Sequence, residues 1–330
     1  MPLDHYVSQV HLKNFYSPKL GNLMHAIQKS DLKSFTPDAQ SVCKIEDGST
    51  NSYLREDRAV EAFLKGIEPK YNGALIKLTA DNIDSECIYT IAGFVAYVLV
   101  CSPAGMRIQS GPLKGAVEET ARTLDSKKLI PAPPPELGGE SLTQFLNSGK
   151  VRVEIDPKYP QAIGIASILS NTITFGNFVW DVLINPFDDN SFFTSDFPVA
   201  IEETDDLRVF NRIVPLSPSL AIRIRPDLSF DRYCTDFSFS SFRYVIRKLS
   251  RAEVVSINRL IVRCAESTVF FRDDHEWIPR FVKRNAAFRI EPKTHRIPHG
   301  NGTLLWFAQE VIETHSRGMG PTIGCKPQST

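Results

Sequence analysis

Ile88–Cys101, IYTIAGFVAYVLVC, is apolar almost from end to end and stops at Ser102-Pro103. A bilayer-spanning helix needs roughly 20 such residues, and this run supplies about 14. The segment is therefore expected as a helix buried on all sides at the centre of a large soluble domain. The surrounding chain agrees: 330 residues, 42% hydrophobic and 23% charged, are too apolar for disorder and too long for one small core. Lys plus Arg (38) equals Asp plus Glu (38). That balance excludes a globally basic nucleic-acid binder but leaves room for a local basic stripe.

Working outward, Val60, Phe63, Leu64, Ile67, Tyr71, Leu75 and Leu78 recur at separations of three or four, as on one helical face. Asp57 or Asn51 is the candidate N-cap, Glu56, Asp57 and Glu61 suit the helix dipole, and Pro69 is placed to kink the helix. A further helix is expected over 113–126. Nearer the N-terminus, His5–Phe15 fits a short helix or an irregular turn, Asn22–Lys29 a strand, and Ser30–Thr50 a loop. The stretch 129–139, LIPAPPPELGG, excludes regular helix and marks a linker. It divides a mainly helical part, 1–130, from a sheet-plus-helix part, 131–330, within one integrated globular unit.

Beyond helices near 140–148 and 159–172, the pattern switches. Phe178–Ile184 (FVWDVLI) and Ser191–Ile201 read as two strands of a hairpin, and 207–216 and 220–225 as two more strands. A long amphipathic helix follows over 250–269, with Ser250 and Glu253 at capping-box spacing. The residues after Phe271 are rich in charge, His and Pro, and end in a Gly/Pro/Ser/Thr tail expected to fray. The fold class is α+β: an N-terminal helical bundle packed on a small antiparallel sheet with a long C-terminal helix.

The N-terminus has neither a basic start nor an apolar run before a cleavage site, so a cytoplasmic location without membrane attachment is expected. Cys43, Cys87, Cys101, Cys234, Cys264 and Cys325 show no CxxC pair and no His at ligand spacing. Free thiols are expected, with no zinc and no cofactor, a divalent metal being left open. There is no Gly-rich phosphate loop, GxSxG elbow, HExxH or EF-hand pattern.

Two segments concentrate polar groups. His5, Tyr6, Gln9, His11 and Asn14 fall within ten residues, and if the segment is helical His5 and Gln9 share a face. Thr194, Ser195 and Asp196 stand between Phe193 and Phe197-Pro198, where the turn either aims a carboxylate into a cleft or satisfies its own backbone. In the expected hairpin Asp181 falls beside Asp196, and paired carboxylates hold a metal or share a proton; the alternative is a solvated Asp181 beside a core Trp180. Arg107 is either an anion anchor or a surface residue at a helix end. Two late runs, Arg243, Arg247, Lys248, Arg251, Arg259, Arg263 and Arg280, Lys283, Arg284, Arg289, Lys293, Arg296, interleave with aromatics and form either a nucleic-acid surface or solvated faces.

His5-Tyr6-Val7-x-Gln9, Leu12-x-Asn14-Phe15, the Trp180 strand, Phe193-Thr194-Ser195-Asp196-x-Pro198 and Pro215-Leu216-Ser217-Pro218, in that order, resemble the bacterial family called domain of unknown function 4238. Its members open with His-Tyr-Val-Pro-Gln and later carry a Thr-Ser-Asp-Asn-Pro-like turn. The resemblance spans nearly the whole chain. Ser8 stands where the family has proline, and the family's Arg-Thr-Pro after the apolar helix reads Cys101-Ser102-Pro103, leaving Arg107 as the nearest arginine. The resemblance implies no reaction. It implies an intracellular bacterial protein of a sporadic type found in mobile or antiviral contexts.

The leading expectation is a hydrolase, nuclease- or glycosylase-like, acting on nucleic acid or another phosphate-containing substrate. Asp196 serves as the acid/base, His5 and Gln9 position the substrate or a water, and Arg107 and Asn258 bind the anion or a carbonyl; the catalytic set is His5, Asp196 and Asp181, and the substrate-binding set Gln9, Asn14, Arg107, Thr194, Ser195 and Asn258. This requires His5 and Asp196 to share one cleft. The alternative is a non-catalytic nucleic-acid or protein-binding or sensor module. The sequence leaves the oligomeric state open.

Overall fold

The computed structural model describes residues 3–314 apart from 132, 135, 137, 207, 232 and 301. The expected fraying tail and Cys325 lie outside the described residues. The chain opens with β1 (Leu3–His5), α1 (Gln9–Lys13), β2 (His25–Gln28), β3 (Ser34–Phe35) and β4 (Lys44–Glu46). Helices follow: α2 (Ala59–Ile67), α3 (Tyr71–Thr79), α4 (Ser85–Cys101), α5 (Pro103–Ser126), α6 (Leu142–Ser148), α7 (Lys158–Ala166) and α8 (Ile168–Asn177). Next come β5 (Val179–Ile184), β6 (Thr194–Ser195), β7 (Ala200–Glu203), β8 (Phe210–Ser217), β9 (Leu220–Arg225) and β10 (Arg243–Lys248). The described chain closes with α9 (Arg251–Cys264), β11 (Thr268–Phe271), α10 (Trp277–Asn285), β12 (Phe288–His299) and β13 (Gly302–Glu313).

This is a mixed α/β fold with four sheets, and it overturns the expected architecture. The N-terminus is strand-rich rather than a helical bundle, and the described chain closes on an antiparallel hairpin of β12 and β13 rather than on a long C-terminal helix. The strands β1 to β4 are two to four residues long, too short to display a period of two. In β12 the charges and prolines hide the alternation of Phe288 and Ile290 with Arg289 and Glu291. The helix at Ser250 does form, with both bonds of its capping box, but it stops at Cys264.

The main sheet runs β10-β5-β9-β8-β7, with β10 parallel to β5, and a second runs β3-β2-β11-β6. The expected hairpin between 178–184 and 191–201 does not exist. β5 pairs with β9 and β10, whereas Thr194 and Ser195 pair with Phe270 and Val269 of β11. Asp181 and Asp196 therefore belong to different sheets.

Helix α4 lies at the centre, with Ile91, Ala92, Val95, Ala96 and Val98 fully buried. Asp84 caps it by accepting from the Cys87 amide at 2.8 Å. Ser102 ends it, accepting from Gly105 N at 3.0 Å and donating to the Val98 carbonyl at 2.6 Å. Pro103, which has no N–H to satisfy, then opens α5 at a 67° bend. A side chain at Gly105 would place its Cβ 2.2 Å from the Leu99 carbonyl oxygen, so only glycine allows that turn. No single described helix is long and apolar enough to cross a membrane. Pro69 breaks the upstream helix as expected, through a 3₁₀ turn between α2 and α3. One apolar cluster, reaching from Val7 to Ile290, joins these helices to the sheets.

Candidate functional site

The N-terminal segment is fixed from both sides. His5 pairs with Lys44 across β1 and β4, the Tyr6 amide donates to the Cys43 carbonyl at 2.8 Å, and the Tyr97 hydroxyl of α4 donates to the His5 carbonyl. Val7, His11, Leu12 and Phe15 are then buried. His5, Gln9 and Lys13, spaced by four, lie along the opposite side and line a cavity of about 440 Å³ with Asp4, Ser49, Glu61 and Glu68. A neighbouring cavity of about 540 Å³ shares Gln9 and Lys13 and adds Tyr16, Asn22, Asp38 and Gln40.

His5 Nε2 donates to the Gln40 carbonyl at 3.2 Å, leaving Nδ1 to accept from Gln9 Nε2 at 3.5 Å. That assigns the imidazole a tautomer and an orientation. Arg58 pairs with both Asp4 and Glu61. Among the described residues neither Lys13 nor Glu68 has an ion-pair partner, and Asp4 and Glu61 share the single Arg58, so at the first cavity Lys13 stands as an unpaired cation among three carboxylates.

The Thr-Ser-Asp turn is built inward. Thr194 Oγ1 bonds His11 Nε2 at 2.8 Å, while His11 Nδ1 bonds the Tyr71 hydroxyl at 2.7 Å and the ring stacks on Phe94 at 4.8 Å. Burial pushes the His11 imidazole down to about 3, so it is neutral. Ser195 Oγ accepts from the Phe197 amide at 3.1 Å. Asp196 accepts the Glu266 amide on Oδ1 at 3.0 Å, and the Ser267 and Thr268 amides on Oδ2 at 2.7 and 3.1 Å. Burial pushes the Asp196 carboxyl up to about 7, against the pull of these amides and of Lys29. Asp196 does not line either cavity that His5 or Gln9 borders.

The remaining predicted residues also find partners within the fold. Asp181 is buried, not solvated, and its oxygens take Arg223 Nη1 at 3.3 Å and Arg225 Nε at 3.1 Å across β9. Arg107 grips both oxygens of Glu266, at 2.7 and 3.0 Å, and Glu291 at 3.1 Å, tying α5 to β12. Asn258 is fully buried, accepting from Phe193 N at 2.9 Å and donating to the Ser191 carbonyl at 2.8 Å. Asn14 donates to the Val10 carbonyl and to Asn72 Oδ1. In the late basic runs, Arg243, Arg247, Arg251, Arg289 and Arg296 each pair with a carboxylate. Among the described residues no three His, Cys, Asp or Glu side chains converge as a metal site.

Sequence reasoning missed several residues. Lys13 continues the four-residue spacing of His5 and Gln9, a signal that could have found it. Tyr71 was legible only as an apolar helix position. Lys29 gave no signal: its ammonium reaches the Ala265 and Phe288 carbonyls at 2.5 and 2.7 Å, where it caps the C-terminal end of α9. Burial pushes it down to about 8, opposed by Asp196. Asp196 and Lys29 thus hold the two sides of the α9–β11 connection, one through its N–H groups and one through its carbonyls. Tyr6 and Cys43 lie against the same cluster, and burial pushes both well up.

The fold and site define a mixed α/β protein whose N-terminal motif borders two neighbouring cavities. Residues 4–275 match the model of a family described as protein of unknown function, DUF4238, and the chain belongs to that family. No curated protein and no solved structure matches it.

Proposed function

We propose that the protein is a cytoplasmic binding module whose ligand is a small zwitterion, seated in the cavities beside α1. One observation carries the reading: His5, Gln9 and Lys13 border open volume, and Lys13 and Glu68 stand there without ion-pair partners. By contrast, Asp196, Thr194, Ser195 and Asn258 are committed to hydrogen bonds of the fold. A hydrolase built on Asp196 would need that carboxylate at the substrate, and Asp196 is buried, holds backbone amides on both oxygens and lines neither cavity. A polyanion is the wrong ligand for this wall, because Asp4, Glu61 and Glu68 outnumber Lys13 and Arg58 and there is no basic track to replace counterions.

The test is thermal and chemical unfolding with free amino acids and dipeptides as probes, compared with inorganic phosphate and nucleoside monophosphates. A zwitterion at a hundred times its dissociation constant should stabilise the wild type by about 2.7 kcal/mol. Lys13→Met and Glu68→Gln should each abolish the effect. Unchanged stability with every zwitterion, an equal response in both variants, or a response to phosphates alone would each refute the reading.

A further inference from the structure

We infer that the outer edge of β13 is a self-association surface, joining two copies of this chain through a continuous four-stranded antiparallel ribbon. β12 and β13 form a two-stranded ribbon of 12 residues a side, paired from Phe288↔Glu313 to His299↔Gly302. β12 is the inner strand. Its Pro292 and Thr294 lie so close to Gly111 and Gly115 of α5 that a Cβ there would stand 2.3 and 2.5 Å from them. Among the described residues no strand but β12 pairs with β13, while α5 packs against one face of the ribbon, where Glu119 bonds Thr303.

The prolines determine which backbone groups point outward. Pro292 and Pro298 have no N–H for the ladder, so both occupy positions that face away from β13. The outer edge of β12 therefore lacks two donors, as protected edges do. Opposite these prolines stand Gln309 and Thr303, so by alternation Thr303, Leu305, Phe307, Gln309 and Val311 direct their backbone N–H and C=O groups to the outer edge of β13. No proline interrupts that edge. Its flanking side chains are apolar and open to solvent: Leu304 is 52% exposed, Phe307 43% and Trp306 39%.

A second copy is the occupant that fits, because the edge is self-complementary about a two-fold axis at Trp306. In that antiparallel register the two Trp306 side chains face each other as a non-hydrogen-bonded pair. Leu305 and Phe307 of the second copy exchange backbone bonds, as do Thr303 and Gln309, and Leu304 meets Ala308. Large side chains meet small ones beside the central aromatic pair. Glu310 falls opposite Gly302 and Glu313 lies beyond it, so no two carboxylates meet. The residues after Thr314 are the competing occupant, but Gly318, Gly320, Pro321, Gly324 and Pro327 are poor strand formers.

Light scattering or sedimentation of the full chain over a hundredfold concentration range tests this. The wild type should pass from monomer to dimer. Phe307→Pro removes an outward donor without touching the bonds to β12 and should weaken the dimer at least tenfold with unchanged circular dichroism. Ala308→Lys, which sets an ammonium against Leu304 of the second copy, should weaken it comparably and decides the matter if the proline variant misfolds. Trp306→Cys, in a chain carrying Cys234→Ser and Cys325→Ser, should cross-link on mild oxidation, since the two sulfurs would meet at the axis. A wild type that stays monomeric overturns the proposal; if a chain ending at Thr314 then dimerises, the edge is covered by the chain's own last residues. A dimer that survives Phe307→Pro and Ala308→Lys and fails to cross-link overturns it equally.

Discussion

Replacing His11 with phenylalanine separates the two contributions this buried imidazole makes. The aromatic contact with Phe94 is retained, but the Tyr71 and Thr194 hydroxyls lose their shared partner. Each orphaned hydroxyl costs about 1–3 kcal/mol, so at pH 8 the variant should be less stable by about 2–6 kcal/mol. Acid then erodes the difference. His11 has a folded-state pKa of about 3 against an ordinary 6.5, so below pH 6.5 the unfolded chain takes up a proton that the folded chain refuses. Stability from this residue is complete above 6.5 and is lost as pH falls toward 3, at about 1.4 kcal/mol per pH unit. By pH 5 the wild type should have lost about 2 kcal/mol through His11 alone. Carboxylates elsewhere titrate in both proteins and cancel in the comparison. Urea unfolding at half-unit steps from pH 8 to 4 gives the two curves, and they should converge below pH 6.5. Parallel curves would show that His11 is charged or solvated in the folded state, and the Tyr71–His11–Thr194 arrangement would fall with that result.

Ser8→Pro should raise stability by roughly 0.4–1 kcal/mol, read from urea midpoints. Ser8 has φ −56°, close to the angle proline imposes, and its buried hydroxyl has no partner among the described residues; a loss of stability would refute the compatibility of this position with the family's proline. Asp196→Asn should cost about 1–3 kcal/mol, because an amide cannot accept on both sides as the carboxylate does. It should leave any zwitterion-induced stabilisation intact, and loss of that stabilisation in a folded variant would return Asp196 to the binding site.

What was legible in the sequence follows the range of the interaction involved. The all-round burial of Ile88–Cys101, the break at Pro69 and the Ser250–Glu253 cap depend on residues within a few positions of one another, and each is where the sequence places it. Strand pairing is not local. Phe178–Ile184 reads as a strand whichever neighbour it takes, and nothing within it announces Arg243–Lys248 as a parallel partner. The two-residue strand Thr194–Ser195 is recognisable only through β11, more than seventy residues away. The candidate site divides on the same principle. The spacing of His5 and Gln9 is local and reaches Lys13; the inward course of Thr194 is set by His11, and that of Asp196 by the amides of Glu266, Ser267 and Thr268.

The candidate polar residues of the sequence consequently fall into two groups with different physical duties. Asp196, Thr194 and Asn258 are almost fully buried, where an unpartnered polar group is costly, and they join segments far apart in sequence. Asp196 fixes the start of β11, Thr194 joins β6 to α1 through His11, and Asn258 joins α9 to the chain before β6. A turn rich in hydroxyls and a carboxylate thus looks catalytic in sequence while acting as a three-way joint. His5 donates to the Gln40 carbonyl and bonds Gln9, and both side chains border open volume. A structural role accounts fully for the first group, whereas His5 and Gln9 also present polar edges to a cavity. Function is therefore best sought at the N-terminal motif, with the Thr-Ser-Asp turn as the structure that holds it in place.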